Sequence, residues 1–388
     1  MDLLTNQQVL LLLLNIYLLY LGGTMNFKIN KISLNQAIST VQKAISTRTT
    51  DPLLEGIYVR VKDNTITLFA TDNIISIVTK IECKSTEDGE FVVASKLFGD
   101  IIRKLPDALI DITVDKNMMN IKCEKSKFNI SIHSASGFPE IPSISGSQSF
   151  TMDCQELKTA IRQTSFAVSQ DEIRKTFTGV LMHIKKDHIN FVALDGFRLA
   201  LKRVDLQVDL EEKSIIPARS LTELSKILPE EGEVKIITSL NAISFESEST
   251  CLYSTLLAGE FFSYDELIRK DHDLVAKVIR RELINSLERA SLLAKEERAN
   301  LVRVEIKDQI LNISSNSEIG DVKEDIFCQM EGREIQIAFN SKYLLDGLKI
   351  MEDEEVRLNF IDSVNPLIIK GVDDESYLYL VLPVRLAG

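Results

Sequence analysis

The stretch Phe191-Val192-Ala193-Leu194-Asp195-Gly196-Phe197-Arg198-Leu199-Ala200-Leu201-Lys202-Arg203 decides the fold. Apolar and β-branched residues flank an Asp-Gly pair, the pattern of two strands joined by a tight turn. The same pattern stands 123 residues earlier at Thr67-Leu68-Phe69-Ala70-Thr71-Asp72-Asn73-Ile74-Ile75-Ser76-Ile77, with Asp72-Asn73 at the turn. A worn third copy, Leu311-Asn312-Ile313-Ser314-Ser315-Asn316-Ser317-Glu318, follows 121 residues later, with Asn316 in the place of Asp195.

A true repeat recurs at more than one landmark. A helical pattern follows each hairpin, running from Val93 to Asp107, from Ile216 to Glu230 and from Phe339 to Asp353. A basic residue stands near the start of each, at Lys96, Arg219 and Lys342, in two steps of 123. A second helical pattern precedes each hairpin: Leu34 to Ile45, Leu157 to Val168 and Leu283 to Ala294. One large α+β domain with chance similarity does not explain equal offsets. The chain therefore reads as α+β, three tandem homologous domains at 25–145, 147–270 and 273–388. Each carries two helices packed on antiparallel sheets. Pro-punctuated or Gly-led connectors, Ser136 to Pro142 and Gly259 to Leu267, separate them, with glycines 122 residues apart.

Residues 1–24 stand outside the repeat. Val9 to Leu21 is apolar apart from Asn15, yet it is shorter than the roughly 20 residues that a bilayer requires. The leader has no basic start and no small-residue cleavage pattern, so a secretory signal is disfavoured. It reads as a leader outside the native fold, from a misplaced start or a vector, with a membrane anchor as the alternative.

At 388 residues the chain is long enough for two or three domains that each bury a core. Five scattered cysteines without a C-x-x-C suit buried thiols in a reducing cytoplasm. The four histidines have no ligand spacing, so no metal and no cofactor is expected. There is no G-x-x-x-x-G-K-[ST] and no G-x-S-x-G. Acidic pairs such as Asp373-Asp374 lie in turn-like stretches and read as solvated. The chain has the character of a binding scaffold, not an enzyme.

The net charge of −12 argues against nucleic acid only until charge is sorted by element. Taken as 33–48, 95–104, 155–164, 219–228, 280–298 and 341–351, the six helical segments hold sixteen Lys or Arg and eight Asp or Glu, a net +8, leaving −20 for the rest. A basic helical layer against an acidic strand layer attracts phosphate without reading sequence.

Asp195-Gly196-Phe197-Arg198-Leu199-Ala200, Phe339-Asn340-Ser341-Lys342-Tyr343-Leu344 and the ending Leu382-Pro383-Val384-Arg385-Leu386 resemble the bacterial DNA polymerase III beta subunit family, the sliding clamps. The resemblance spans residues 25 to 386. It implies the processivity factor of the replicative polymerase: a non-catalytic, cytoplasmic, head-to-tail homodimer of six domains, closed around double-stranded DNA with twelve helices facing inward. Twelve helices at about 9–10 Å spacing make a circle roughly 35 Å across at their axes. Subtracting a helix radius of about 5 Å on each side leaves a hole somewhat wider than a duplex. The basic residues Lys43, Arg48, Lys96, Arg103, Lys104, Lys158, Arg162 and Arg219 would face DNA, Arg48 matching a DNA-facing arginine of the family. Phe128 and Ile130 would meet Leu292 and Leu293 across the dimer interface, although ordinary core is an equal reading of those four residues.

The resemblance also implies a groove for partner peptides carrying a Gln and a few Leu or Phe residues, supplied by the polymerase subunit, the clamp loader and other replication and repair proteins. The matching positions are Arg174, Phe177, Leu194, Gly196, Phe197, Arg198, Leu199, Phe262, Leu267, Tyr343, Val364, Pro366, Leu380, Leu382, Pro383, Val384, Arg385 and Leu386. Family members often have Thr, His and Pro where this chain has Leu194, Phe197 and Phe262, and Met at Leu382 and Val384. The groove here is expected to be the more apolar. Two other readings remain at this stage: an enzyme subunit with its own nucleotidyltransferase chemistry, and a structural ring never loaded on DNA.

Overall fold

The structure, a computed structural model, describes residues 25–46, 51–144, 148–269, 271–295 and 300–385. The leader, Arg48 and Leu386 lie outside them. The first repeat runs β1 (Met25–Asn30), α1 (Lys31–Val41), β2 (Gly56–Lys62), β3 (Thr65–Thr71), β4 (Ile75–Glu82), β5 (Lys84–Ser85), β6 (Gly89–Ala94), α2 (Ser95–Lys104), β7 (Leu109–Asp115), β8 (Met118–Cys123) and β9 (Ser126–His133). The second runs β10 (Gln148–Asp153), α3 (Cys154–Thr164), β11 (Gly179–Lys185), β12 (His188–Leu194), β13 (Arg198–Asp205), β14 (Glu212–Pro217), α4 (Ala218–Ile227), β15 (Glu233–Thr238), β16 (Ala242–Ser247) and β17 (Thr250–Thr255). The third runs β18 (Leu274–Ile279), α5 (Arg280–Ala294), β19 (Leu301–Lys307), β20 (Ile310–Ser317), β21 (Gly320–Phe327), β22 (Gln329–Gly332), β23 (Ile335–Asn340), α6 (Ser341–Ile350), β24 (Glu355–Phe360), β25 (Leu367–Gly371) and β26 (Tyr377–Val381).

Apart from the short β5 and β22, the three runs share one element order. Lys96, Arg219 and Lys342 each occupy the second position of a helix. Asn30 and Asp153, one period apart, cap the helices that follow them. Asn30 Oδ1 accepts the Ile32 amide at 2.8 Å, and Asp153 Oδ1 accepts the Gln155 amide at 2.9 Å. Such caps satisfy amides that a helix leaves unpaired at its start. The two true hairpin turns share a device as well. Asp72 Oδ1 accepts the amides of Ile74 and Ile75, and Asp195 Oδ1 those of Phe197 and Arg198.

The third hairpin departs from the expectation. Asn316 is not a turn residue: it pairs with Asp321 inside the β20–β21 ladder, and the turn falls at Glu318-Ile319. Ser-Asn-Ser lacks the aspartate side chain that would close the turn two residues sooner. The first connector also differs from a loose linker. Phe138 is buried, stacked on Tyr58 at 5.7 Å and edge-on to Phe69 at 5.5 Å.

Contacts divide the chain into two compact units. The first contains the first repeat together with Ser244–Ser254, and the second contains Gln148–Ile243 and the chain from Thr255 onward. In the first unit the strands run β17-β4-β3-β2-β6-β9-β8-β7-β1-β5. In the second, nine strands run β14-β11-β12-β13-β26-β25-β24-β18-β22, beside a four-stranded sheet β21-β20-β19-β23. One rule of pairing recurs. The fourth strand of a repeat is completed by the last strand of the next: β4 pairs with β17 (Val78↔Cys251), and β13 pairs with β26 (Ala200↔Tyr379). Among the described residues, β21, the fourth strand of the third repeat, has β20 alone as neighbour. Among the same residues the last strand of the first repeat, β9, has β8 alone along Ser126–Ser131.

The two helices of each repeat pack together. They bury aliphatic stripes such as Leu34, Ala37, Ile38 and Val41 on α1. Full burial of one Leu or Ile side chain contributes about 1.5–3 kcal/mol. Among the described residues no helix is long and apolar enough to cross a membrane, and no group of His, Cys, Asp and Glu is placed to hold a metal ion.

Candidate partner groove and cationic helices

The groove begins at the Asp195 turn. Gly196 has φ +94, a conformation that L side chains rarely adopt. It turns Phe197 outward, 58% exposed, while Arg198 points inward. Arg198 donates Nε to Asp195 Oδ2 at 3.0 Å, Nη1 to Asp346 Oδ2 at 2.6 Å and Nη2 to the Phe166 carbonyl at 3.2 Å. Its guanidinium lies 4.7 Å from the centre of the Tyr343 ring and 5.5 Å from that of Phe166. Burial works against its charge, but Tyr379, Asp346 and Asp195 outweigh that and hold its pKa above the ordinary arginine value. Phe197 in turn stacks on Tyr343 at 6.0 Å, with the rings 20° apart. The Leu382 amide donates to the Phe197 carbonyl at 2.8 Å, which carries the chain past the end of β26 along the turn.

Two cavities meet here. The smaller, about 210 Å³, has Phe177, Leu194, Leu199 and Leu380 from the core as its floor and Phe262, Leu267 and Leu382 at its rim. Arg174, Gly196, Phe197 and Arg198 complete it. The larger, about 980 Å³, shares Arg174, Phe177, Gly196, Phe197 and Arg198 and adds Phe166, Asp171, Ile173, Tyr343 and Asp346, among others. An apolar trough with a few fixed polar groups is the usual form of a ligand or peptide site. Twelve of the groove positions expected from sequence thus come together. Val364, Pro366, Pro383, Val384 and Arg385 line neither cavity, and among the described residues after Val381 only Leu382 reaches them. The Val384 amide instead donates to the Ala338 carbonyl at 2.8 Å, which fastens that part of the tail to β23. Sequence reasoning missed Phe166, Ile173 and Asp346. Ile173, a large apolar residue 86% exposed beside a charged stretch, had no periodic signal to reveal it.

Beneath the groove, Tyr264 Oη accepts from Asn190 Nδ2 at 3.0 Å and faces His183 Nδ1 at 2.8 Å. Burial, with Lys185 and Lys213 nearby, lowers the His183 pKa to about 4, and burial pushes Tyr264 up to about 12. Neither group is poised to exchange a proton near neutral pH. The network anchors the turn Tyr264–Leu267 to β11 and β12.

The helix cations are less bare than a charge count suggests. Lys158 Nζ lies 2.5 Å from Glu230 Oε1, Arg162 pairs with Glu352, and Arg103 pairs with Asp100 on its own helix. Lys43 donates to the Ser39 carbonyl at 3.2 Å. Lys96, Lys104 and Arg219 are exposed. Of the residues expected at a dimer interface, Phe128 is 39% and Leu292 66% exposed, Leu293 is half-buried and Ile130 is buried.

Three copies of one α+β unit, with helices in register and an apolar trough lined by the second and third, define the class of tandem-domain clamps. Family models for the DNA polymerase III beta subunit match in three pieces: the N-terminal domain over residues 25–142, the central domain over 151–262 and the C-terminal domain over 265–385. The chain belongs to the DNA polymerase III beta subunit family. It is 36% identical to the beta sliding clamp of Bacillus subtilis over 93% of this chain and 100% of that one, and 33% identical to that of Staphylococcus aureus over 93% and 99%. The crystal structure of the Bacillus subtilis clamp matches with a TM-score of 0.91 at 35% identity, covering 94% of this chain and all of that one. A Pseudomonas aeruginosa sliding clamp bound to griselimycin matches at 0.90 and 28% identity, covering 94% and 100%.

Proposed function

We infer that this chain is a DNA sliding clamp, the processivity factor of a DNA polymerase III, and that two copies close head to tail into a ring around duplex DNA. The observation that carries this reading is the strand-pairing rule within a family of sliding clamps. The fourth strands of the first two repeats are completed by the last strand of the next, and among the described residues the series leaves β21 beside β20 alone and β9 beside β8 alone along Ser126–Ser131. A second copy satisfies both, since β21 of each chain extends β9 of the other. Such a heterologous contact closes if the rotation per subunit is half a turn. Unpaired strand edges are costly to leave to chance association. Phe128 on β9, with Leu292 and the half-buried Leu293 on α5, supply apolar surface at that junction, while Ile130 lies in the core of its own chain.

The ring's link to DNA is topological, and the helix cations need only hold phosphates weakly. The domain boundaries are those read from the repeat, near 145–147 and 270–273. The groove receives peptides of the polymerase, the clamp loader and other replication proteins in the cytoplasm. The Pseudomonas clamp bound to griselimycin supports a family groove open to ligands. The protein catalyses nothing itself. Incubated alone with DNA and nucleotides it turns nothing over. With its polymerase, a loader and ATP it lengthens primer-extension products at least tenfold. Product lengths unchanged by the protein, or turnover by the protein alone, would favour the enzyme reading instead.

A further inference from the structure

The acid that follows the second helix recurs at 107, 230 and 353, one period apart. In each repeat a cation from the first helix reaches it. Lys31 Nζ lies 2.8 Å from Asp107 Oδ1, and Lys158 Nζ lies 2.5 Å from Glu230 Oε1. In the third repeat Arg280 Nε donates to the Asp353 carbonyl at 2.6 Å. That leaves the neighbouring Glu352 to pair with Arg162, one helical turn beyond Lys158 on α3. The two cations of α3 expected to face DNA are therefore both covered by carboxylates from loops that end helices. Those carboxylates are 82% and 72% exposed, against 17% and 43% for the cations they cover.

We propose that Glu230 and Glu352 are exchangeable counter-ions that mask Lys158 and Arg162 from duplex phosphates and so keep the helical face weakly attractive. This rests on the sliding-clamp reading. Exposed ion pairs contribute only about 0–1 kcal/mol, so thermal exchange opens them readily. A passing phosphate must displace a carboxylate to bind, and the displaced carboxylate then repels it. The affinity forgone for static phosphates favours movement along the duplex. Each cation neutralising a phosphate adds about 0.9 to the magnitude of the slope of log affinity against log salt.

The test compares the full-length protein with Glu230→Gln, Glu352→Gln and the double variant, using a duplex of random sequence across a salt series. The double variant is expected to bind duplex roughly five- to fiftyfold more tightly near 0.1 M salt, with a slope steeper by up to about 1.8. Its diffusion along circular DNA after loading is expected to slow. Glu352→Gln in an Arg162→Gln background is expected to change nothing. Because all these side chains are exposed, melting temperatures serve to confirm intact folds. Unchanged slopes in a protein that is still retained on circular DNA overturn the masking proposal alone. So does weaker binding by Glu352→Gln, since the pair would then position Arg162 for phosphate. A wild-type protein not retained on circular DNA overturns the clamp reading and this proposal with it.

Discussion

Replacing Leu292 with Asp, or Phe128 with Glu, is expected to convert a two-chain particle into single chains in native mass measurements. Both side chains are large, apolar and well exposed within one chain, so neither is explained by that chain's own core. At a closed interface each would be desolvated. Burying an unpaired carboxylate there costs at least about 3 kcal/mol, a hundredfold or more in the dissociation constant. Because they are exposed in the single chain, the same substitutions should change its melting free energy by no more than about 0.5 kcal/mol. Leu109→Glu is the control. That side chain is 58% exposed, at the start of β7, which β8 separates from β9. It should leave the two-chain mass intact, whereas equal disruption by Leu109→Glu would show that any added charge suffices.

The second large effect is expected at the groove. Leu382→Asp should abolish loader-dependent retention on circular DNA, and with it processive synthesis, while leaving ring mass unchanged. Leu382 packs half-buried against the cluster of Phe177, Leu194, Leu199 and Leu380, on the rim of the smaller cavity. A carboxylate there opposes any Leu or Phe side chain entering. Affinity for a synthetic peptide with a Gln followed by Leu and Phe should fall at least about a hundredfold, corresponding to some 3 kcal/mol. The main-chain bond from the Leu382 amide to Phe197 survives the substitution, so the turn keeps its place. Unchanged peptide affinity would move the partner site elsewhere. Lost ring mass would make Leu382 a structural residue and nothing more.

What the sequence disclosed follows from what is linear in it. The 123-residue period is visible because Asp72 and Asp195 close their turns with their own side chains, and Lys96, Arg219 and Lys342 hold the same helical position. The third turn misled because Asn316 resembles Asp195 in a string of letters but sits in a ladder opposite Asp321. Most of the apolar groove was legible through family resemblance. Its polar half was only partly so, since of the two acids that balance Arg198, Asp195 is local but Asp346 is 148 residues away and nothing local marks it. The same limit applies to charge. Counting Lys and Arg on helices suggests a cationic layer but misses Glu230 and Glu352, which lie on loops and cover two of those cations. The pairing of β4 with β17 and of β13 with β26, the rule on which the proposed ring closure rests, joins strands 170 residues or more apart and has no signature in either strand alone.

The most direct test is retention. The protein, loaded by a clamp loader and ATP onto a nicked circular duplex, should co-elute with that DNA through gel filtration in moderate salt and be lost when a single cut makes the circle linear. Equal retention on circle and line would mean that the protein grips DNA by contact alone, and no retention on either would mean that it never encloses a duplex; each contradicts a closed ring built from three repeats of one fold.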